Sequence, residues 1–196
     1  MSARPDVQVG SQIEQDRYVL ALLNGKRYGT FVDIGCGPPT LNSNTFLLET
    51  EYGWSGLAVD VIDQRDSWHW EDRRATRHII ADAATIDWAS LFAETITGEI
   101  DFLSLDLEPP AITYDVLRIL PWHRWKPLVV AYEADAYRDT ASAIREHEAS
   151  AFMRSMGYSL RARLYPRLAH LLTEDVGCQD HIWMLADAVR SQTRGG

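Results

Sequence analysis

The chain is short of cysteine, of basic clusters and of long apolar runs, and each shortage closes off a class of protein. Only two cysteines occur among 196 residues, Cys36 and Cys178, too few and too far apart for a disulfide framework or a thiolate zinc site. A reducing cytoplasm is the simplest home for such a chain. Lys and Arg number 19 against 28 Asp and Glu, for a formal charge of -9. No basic block marks a surface that grips a phosphate backbone, so no nucleic-acid partner is expected. No stretch approaches the ~18 apolar residues of a membrane span, and Met1-Ser2-Ala3-Arg4-Pro5-Asp6 has no apolar signal core, so no membrane partner is expected either. What remains is an acidic chain of ordinary composition, 46% hydrophobic. It is sized for one domain and suited to a small polar or cationic ligand.

What the chain does have is five short apolar runs that each end in a carboxylate: Phe31-Val32-Asp33, Leu57-Ala58-Val59-Asp60, Ile79-Ile80-Ala81-Asp82, Phe102-Leu103-Ser104-Leu105-Asp106 and Val129-Val130-Ala131-Tyr132-Glu133. Continuous apolar runs are what parallel strands covered on both faces look like, and their spacing is that of βαβ units. In an open α/β sheet the carboxyl ends of the strands line one crevice, so five acids are expected at one edge.

Between the runs the apolar period changes to helical. Helices are expected over 12–24 (Ser11 as N-cap, Gly25 as stop), 43–51 (stopped by Gly53), 87–97, 111–120 and 135–156 (closed by Gly157), with a charged helix-like stretch over 68–74. The third strand is expected over 78–82 and the fourth over 101–107, ended by Pro109-Pro110. Segments 158–164 and 181–185 suit an antiparallel pair at one sheet edge. The fold class is α/β, with residues 1–10 a loosely docked arm, 11–188 the domain and 189–196 a polar tail.

Asp33-Ile34-Gly35-Cys36-Gly37 follows a strand and precedes a helix, the context in which glycines let backbone approach a ligand. A dinucleotide fingerprint needs a third glycine at position 40, where Thr40 stands, and Pro38-Pro39 stiffen the loop. An acid before the turn suits a cofactor with an ammonium group rather than a pyrophosphate, which points to S-adenosyl-L-methionine. Asp60, ending the next strand, is placed for the ribose hydroxyls, and Asp82 for the adenine amino group. Each acid can instead cap the helix that follows it. Cys36 reads as a small turn residue, with no histidine near it in sequence to activate it.

These segments, together with Ser11-Gln12 and Asp16, Ser43-Asn44-Thr45, Leu47-Leu48-Glu49, Gly53-Trp54-Ser55-Gly56 and the run 100–108, resemble the FkbM-type methyltransferases of the class I S-adenosylmethionine-dependent fold over residues 11–185. The resemblance implies a doubly wound, Rossmann-like, seven-stranded sheet, mostly parallel with a reversed C-terminal strand, and methyl transfer by in-line displacement. It places Asp33, Gly35 and Gly37 around the methionine moiety, Asp60 at the ribose and Asp82 at adenine. The full cofactor-binding set is then Gln12, Asp33, Gly35, Gly37, Ser43, Asn44, Asp60, Val61, Asp82, Ala83 and Asp106. For Ser43 the plainer role is helix capping, and for Asp16 a solvated helix face. Two departures stand out: Asp60-Val61 replaces the Glu-Pro common in relatives, and Pro109-Pro110 follows Glu108 where relatives start a helix directly, reshaping the substrate side.

The catalytic pair expected from position is Asp106 and Glu108, which share a side of the fourth strand if it persists that far. Three readings are open: a general base for an acceptor hydroxyl, a magnesium site of Asp106, Glu133 and Asp135, or recognition of a cationic acceptor. His181, beside Asp180, is a further candidate base, although a lone histidine is more often structural. The tryptophans Trp68, Trp70, Trp122 and Trp125 read as packing residues, and 165–179 as a lid or a surface connection. The leading function is methylation of a small-molecule hydroxyl, of a sugar or natural product. The alternatives are a nicotinamide-dependent oxidoreductase and a noncatalytic nucleoside-binding protein that keeps the fold.

Overall fold

The alternation of apolar runs with amphipathic stretches builds a single mixed sheet between two layers of helices. The computed structural model describes residues 10–64, 66, 73, 75–134, 136, 138–165 and 180–186. Within them, β1 (Thr30–Ile34), β2 (Ser55–Asp60), β3 (Thr76–Ile80), β4 (Phe102–Leu105) and β5 (Val129–Glu133) run parallel, and β6 (Tyr158–Leu164) and β7 (Asp180–Leu185) are antiparallel. The order across the sheet is β3-β2-β1-β4-β5-β7-β6. The chain therefore winds outward from β1 to β3, returns to lay β4 against the other side of β1, and opens a crevice where the winding reverses.

The runs of β1, β2, β4 and β5 are continuous because both faces are covered; β3, at the sheet edge, has no buried residue. On one face Val32, Ile34, Leu57, Leu103, Leu105, Val130 and Trp183 pack with Trp88 and Phe92 of α3 (Trp88–Thr95), Val116 and Leu117 of α4 (Pro110–Ile119), and Ala149 and Met153 of α5 (Thr140–Ser155). On the other, Phe31, Phe102, Val129, Ile182 and Met184 meet Val19 and Leu20 of α1 (Gln15–Leu22), Leu48 of α2 (Phe46–Tyr52) and Trp54. Trp122 and Trp125 are buried in the first cluster, Trp122 donating through Nε1 to the Leu117 carbonyl at 2.6 Å. Trp68 and Trp70 lie outside the described residues.

Several boundaries differ from expectation, for local reasons. α1 starts at Gln15, because Ser11 does not cap it: the Ser11 hydroxyl donates to Asp16 Oδ1 at 2.6 Å. Asp16 is thus buried in that contact rather than on a solvated face. Gly53 does end α2 in left-handed conformation, whereas α1 ends at Leu22 with Leu23 as its C-cap, ahead of the left-handed pair Asn24 and Gly25. α2 begins after Thr45, so Ser43 is not its cap. α5 begins at Thr140, where the Asp139 carboxylate accepts the Ser142 N–H at 2.7 Å. β3 stops at Ile80 and β4 at Leu105, two residues earlier than the sequence suggested. Asp106 and Glu108 consequently share no strand face; both belong to the connection into α4. Gly10 is docked, forming a parallel bridge with Leu41. The expectations for 1–9, 67–72, 74, 166–179 and 187–196 fall outside the described residues.

Candidate functional site

The crevice is a cavity of about 400 Å³ lined by Gly35, Val59, Asp60, Val61, Ile62, Ala81, Asp82, Ala83, Asp106, Leu107, Glu108 and Ile112. Six of the sequence-predicted cofactor residues meet there: Gly35, Asp60, Val61, Asp82, Ala83 and Asp106. Four consecutive sheet positions deliver them, since β3, β2, β1 and β4 are neighbours whose chains all leave the sheet at this edge. Asp60 shapes the turn as well as the cavity. Its Oδ2 accepts the Gly37 N–H at 2.9 Å and its Oδ1 the Ile62 N–H at 2.8 Å. A carboxylate has about four lone-pair sites, so each oxygen keeps capacity for a ligand hydroxyl. Asp82 accepts the Ala84 N–H through Oδ1 at 2.9 Å, a local turn bond that holds its carboxylate at the rim. The exposed Val61 and Ile62 side chains (67% and 60%) give this half of the cavity apolar walls for a flat heterocycle.

Asp33 lies elsewhere. Its side chain is buried against α2 rather than lining the cavity, accepting from Thr45 Oγ1 at 2.9 Å. Ser43 is fully buried and its Oγ accepts from Arg73 Nη1 at 3.1 Å, while Asn44 donates to Ser104 Oγ at 3.0 Å and its Oδ1 is buried without a hydrogen-bond partner. Gln12 is exposed at the mouth of the N-terminal segment and is not among the cavity-lining residues. Arg73, Thr45 and Glu49 form the buried centre to which Asp33 and Ser43 belong; sequence reasoning missed Arg73, and named Thr45 only within the Ser43-Asn44-Thr45 motif, because nothing periodic connects residues so far apart.

Burial pushes the Asp33 carboxyl up to about 6, against the Thr45 hydrogen bond and the Arg73 charge that pull it down. The folded protein therefore keeps a proton on Asp33 between 3.8 and about 6 that the unfolded chain has lost. The stability this group contributes is present below the lower value and is lost as pH rises through the window. Asp33→Asn keeps an acceptor for Thr45 and abolishes the charge. Relative to the native protein it should gain on the order of 3 kcal/mol between pH 4 and pH 8, each pKa unit being worth ~1.4 kcal/mol. Urea midpoints at the two pH values measure this, and a pH-independent difference would contradict it.

The acceptor side is divided by the pleat of the sheet. Glu108 is exposed and held in a two-pronged pair by Arg138, at 3.0 Å and 2.5 Å, so its charge is already answered by a cation. Asp106 is half-buried, its N–H tied to the Ile34 carbonyl at 3.0 Å. Glu133 is buried and stands directly opposite Asp180 across the β5–β7 pair; Asp180 accepts from Gln15 Nε2 at 2.7 Å. Asp135 lies outside the described residues, among which no group of three His, Cys, Asp or Glu is arranged to hold a metal ion. His181 points to the opposite face, toward α5: its Nε2 is 2.9 Å from Glu146 Oε1 and 3.2 Å from Arg163 Nε. Burial pulls the imidazole down to about 4, with Arg163 and Arg154 acting in the same direction. The candidate base His181 is thus a neutral packing residue, placed on the wrong face because it follows Asp180 by one residue in a strand. Cys36 is buried, and its desolvation beside Asp33 and Asp60 pushes the thiol far upward, which suits a turn residue and not a nucleophile.

No family model matches the chain, and no curated protein does. Solved structures do. Fibrillarin of Aeropyrum pernix, with natively bound S-adenosyl-L-methionine, is 12% identical over 93% of this chain and 85% of its own, with a TM-score of 0.56. Cofactor-bound Rv0187 from MTB is 11% identical over 94% and 84%, with a TM-score of 0.59. The Methanococcus jannaschii fibrillarin pre-rRNA processing protein is 12% identical over 95% and 86%, with a TM-score of 0.55. The structural neighbours are class I S-adenosylmethionine-dependent methyltransferases, and this chain has their fold.

Proposed function

We propose that the chain is an S-adenosylmethionine-dependent methyltransferase of the FkbM type that methylates a hydroxyl of a small molecule in a reducing cytoplasm. The observation that carries the reading is the cavity at the winding reversal, walled by Asp60, two exposed aliphatic side chains and Asp82, beside a glycine turn that lacks the dinucleotide pattern. Its volume and its carboxylate acceptors suit the hydroxyl and amino donors of a nucleoside. Asp60 would accept from the ribose hydroxyls, Val61, Ile62 and Ala83 would flank the base, and Asp82 would accept from the amino group. When bound, the sulfonium cofactor supplies an activated methyl group whose bonding pair stays on sulfur as it leaves.

The chain's own work is then alignment and one proton. Asp106, at the cavity wall and next to Gly35, is placed to take the proton of the attacking hydroxyl. Glu108, fixed by Arg138, orients the acceptor at the rim. Some neighbours act on RNA, but here the carboxylates at the crevice, in a chain of charge -9, repel a phosphate backbone.

Calorimetry with S-adenosylhomocysteine, NAD and a structured RNA tests the class: binding of the first alone supports it, and binding of NAD without the first ends it. Asp106→Asn should lower kcat for labelled methyl transfer to a small-molecule extract by about 100-fold, the low end for a general base, with cofactor affinity changed less than about threefold. Undiminished kcat would remove Asp106 from the chemistry.

A further inference from the structure

Thr113 is fully buried in the first turn of α4, and its hydroxyl is spent on a single residue outside the helix. Oγ1 accepts the Leu107 N–H at 3.1 Å and donates to the Leu107 carbonyl at 2.9 Å. A helical threonine ordinarily bonds the carbonyl of the preceding turn of its own helix. Here the hydroxyl reaches back to the connection between β4 and α4. Pro109 and Pro110 have no N–H to give there, and α4 has no side-chain cap. Burying a hydroxyl costs free energy unless its hydrogen bonds are made, and this one makes both with one backbone residue.

That residue stands between Asp106 and Glu108, and all three line the cavity. The peptide joining Asp106 to Leu107 is held from two sides. Its carbonyl oxygen lies against Gly35, where a Cβ would stand 1.6 Å from it, and its N–H is the one that Thr113 accepts. The Asp106 N–H is bonded in turn to the Ile34 carbonyl at 3.0 Å. The backbone on either side of the Asp106 side chain is thus fixed, by β1 before it and by α4 after it.

We infer that Thr113 is a positioning residue for the proton-accepting carboxylate: through Leu107 it sets the reach of Asp106 into the cavity. This rests on the methyltransferase reading with Asp106 as its base. Thr113 itself is not a cavity-lining residue, and Asp60, Val61, Ile62, Asp82 and Ala83, which follow β2 and β3, do not depend on it. Its effect therefore falls on the transfer step and spares cofactor affinity.

The test is labelled methyl transfer from S-adenosylmethionine to the small-molecule extract, with calorimetry of S-adenosylhomocysteine as the check on folding. Thr113→Val removes the hydroxyl at nearly constant volume. It should lower the rate at saturating cofactor at least about tenfold, short of the ~100-fold that an ångström of misplacement costs. The KM for S-adenosylmethionine and the affinity for S-adenosylhomocysteine should change less than about threefold. Thr113→Ser keeps the hydroxyl and should stay within about threefold of the native rate. If the valine methyl crowds Leu107 and unfolds the protein, Thr113→Ala removes the hydroxyl with no added group, and the same losses are expected of it. The deciding measurement repeats the substitution on an Asp106→Asn background. A residue that acts through Asp106 has nothing left to position there, so the further loss should be under about twofold, whereas independent effects multiply. A multiplied loss, an undiminished rate in the valine and alanine variants, or a serine variant as slow as they are overturns the inference. A native protein that binds no S-adenosylhomocysteine overturns the methyltransferase reading, and the role of Thr113 with it, before any variant is made.

Discussion

Asp60→Ala should weaken S-adenosylhomocysteine about 100-fold. Two hydrogen bonds from ribose hydroxyls to one carboxylate are worth ~3 kcal/mol together at the low end for charged acceptors, and each ~1.4 kcal/mol is a factor of ten. The alanine also frees the Gly37 and Ile62 N–H groups, which Asp60 accepts at 2.9 Å and 2.8 Å. The loop therefore loses its preset shape along with the contact. The variant must weaken 5′-methylthioadenosine, which carries the same nucleoside and lacks the amino acid, as much as S-adenosylhomocysteine, because both carry the ribose. Asp60→Asn should fall between, at about tenfold, since its amide oxygen replaces one acceptor while its NH₂ opposes a backbone donor. Titration calorimetry on the three proteins gives the order. A loss under about threefold for Asp60→Ala would move the ribose away from this residue and leave the cavity without its main polar anchor.

β1, β2, β4 and β5 were legible because burial on both faces leaves an unbroken apolar signature, whereas β3, at the sheet edge with no buried residue, starts at Thr76 and overlaps its run only at Ile79 and Ile80. The convergence of their acids on one edge was legible too, as a consequence of topology. What the runs could not reveal is how the pleat sorts those acids. Asp33, one residue before the end of β1, turns into the layer of α2 and becomes a buried group, while Asp60, at the end of β2, lines the cavity. Asp180 and His181 are adjacent and so point to opposite faces; alternation predicts that, but not which of the two faces α1. The ends of β3 and β4 were misjudged because apolar residues continue past the ladder: Ala81 still bonds the Asp60 carbonyl at 2.9 Å and Asp106 the Ile34 carbonyl at 3.0 Å, without strand geometry. Least legible were the polar partners. Arg73 with Pro39, Ser43, Thr45 and Glu49, or Glu108 with Arg138, join residues 24 to 34 apart. Such pairs are chosen by the fold and leave no period in the sequence.

Gly35→Ala should be the most damaging small substitution in the site, and Gly37→Ala a mild one, although the two glycines look alike in sequence. Both have positive φ, 83° and 55°. A Cβ on Gly35 would stand 1.6 Å from the Asp106 carbonyl oxygen, whereas one on Gly37 meets nothing within 4 Å. The left-handed conformation costs a non-glycine residue ~1–2 kcal/mol in either place. Only at position 35 must backbone also move, at a further ~1–3 kcal/mol for overpacking. The strand that must give way is β4, and what it carries past its end is Asp106 itself, so stability and chemistry are lost together. Urea unfolding should show a loss of about 2–5 kcal/mol for Gly35→Ala and about 1–2 kcal/mol for Gly37→Ala. Methyl transfer should fall at least about 100-fold in the first, since displacing a proton-accepting group by an ångström costs that much, and should largely survive in the second. Equal losses in the two variants would mean that the turn's conformation, and not the contact between β1 and the end of β4, sets the position of Asp106.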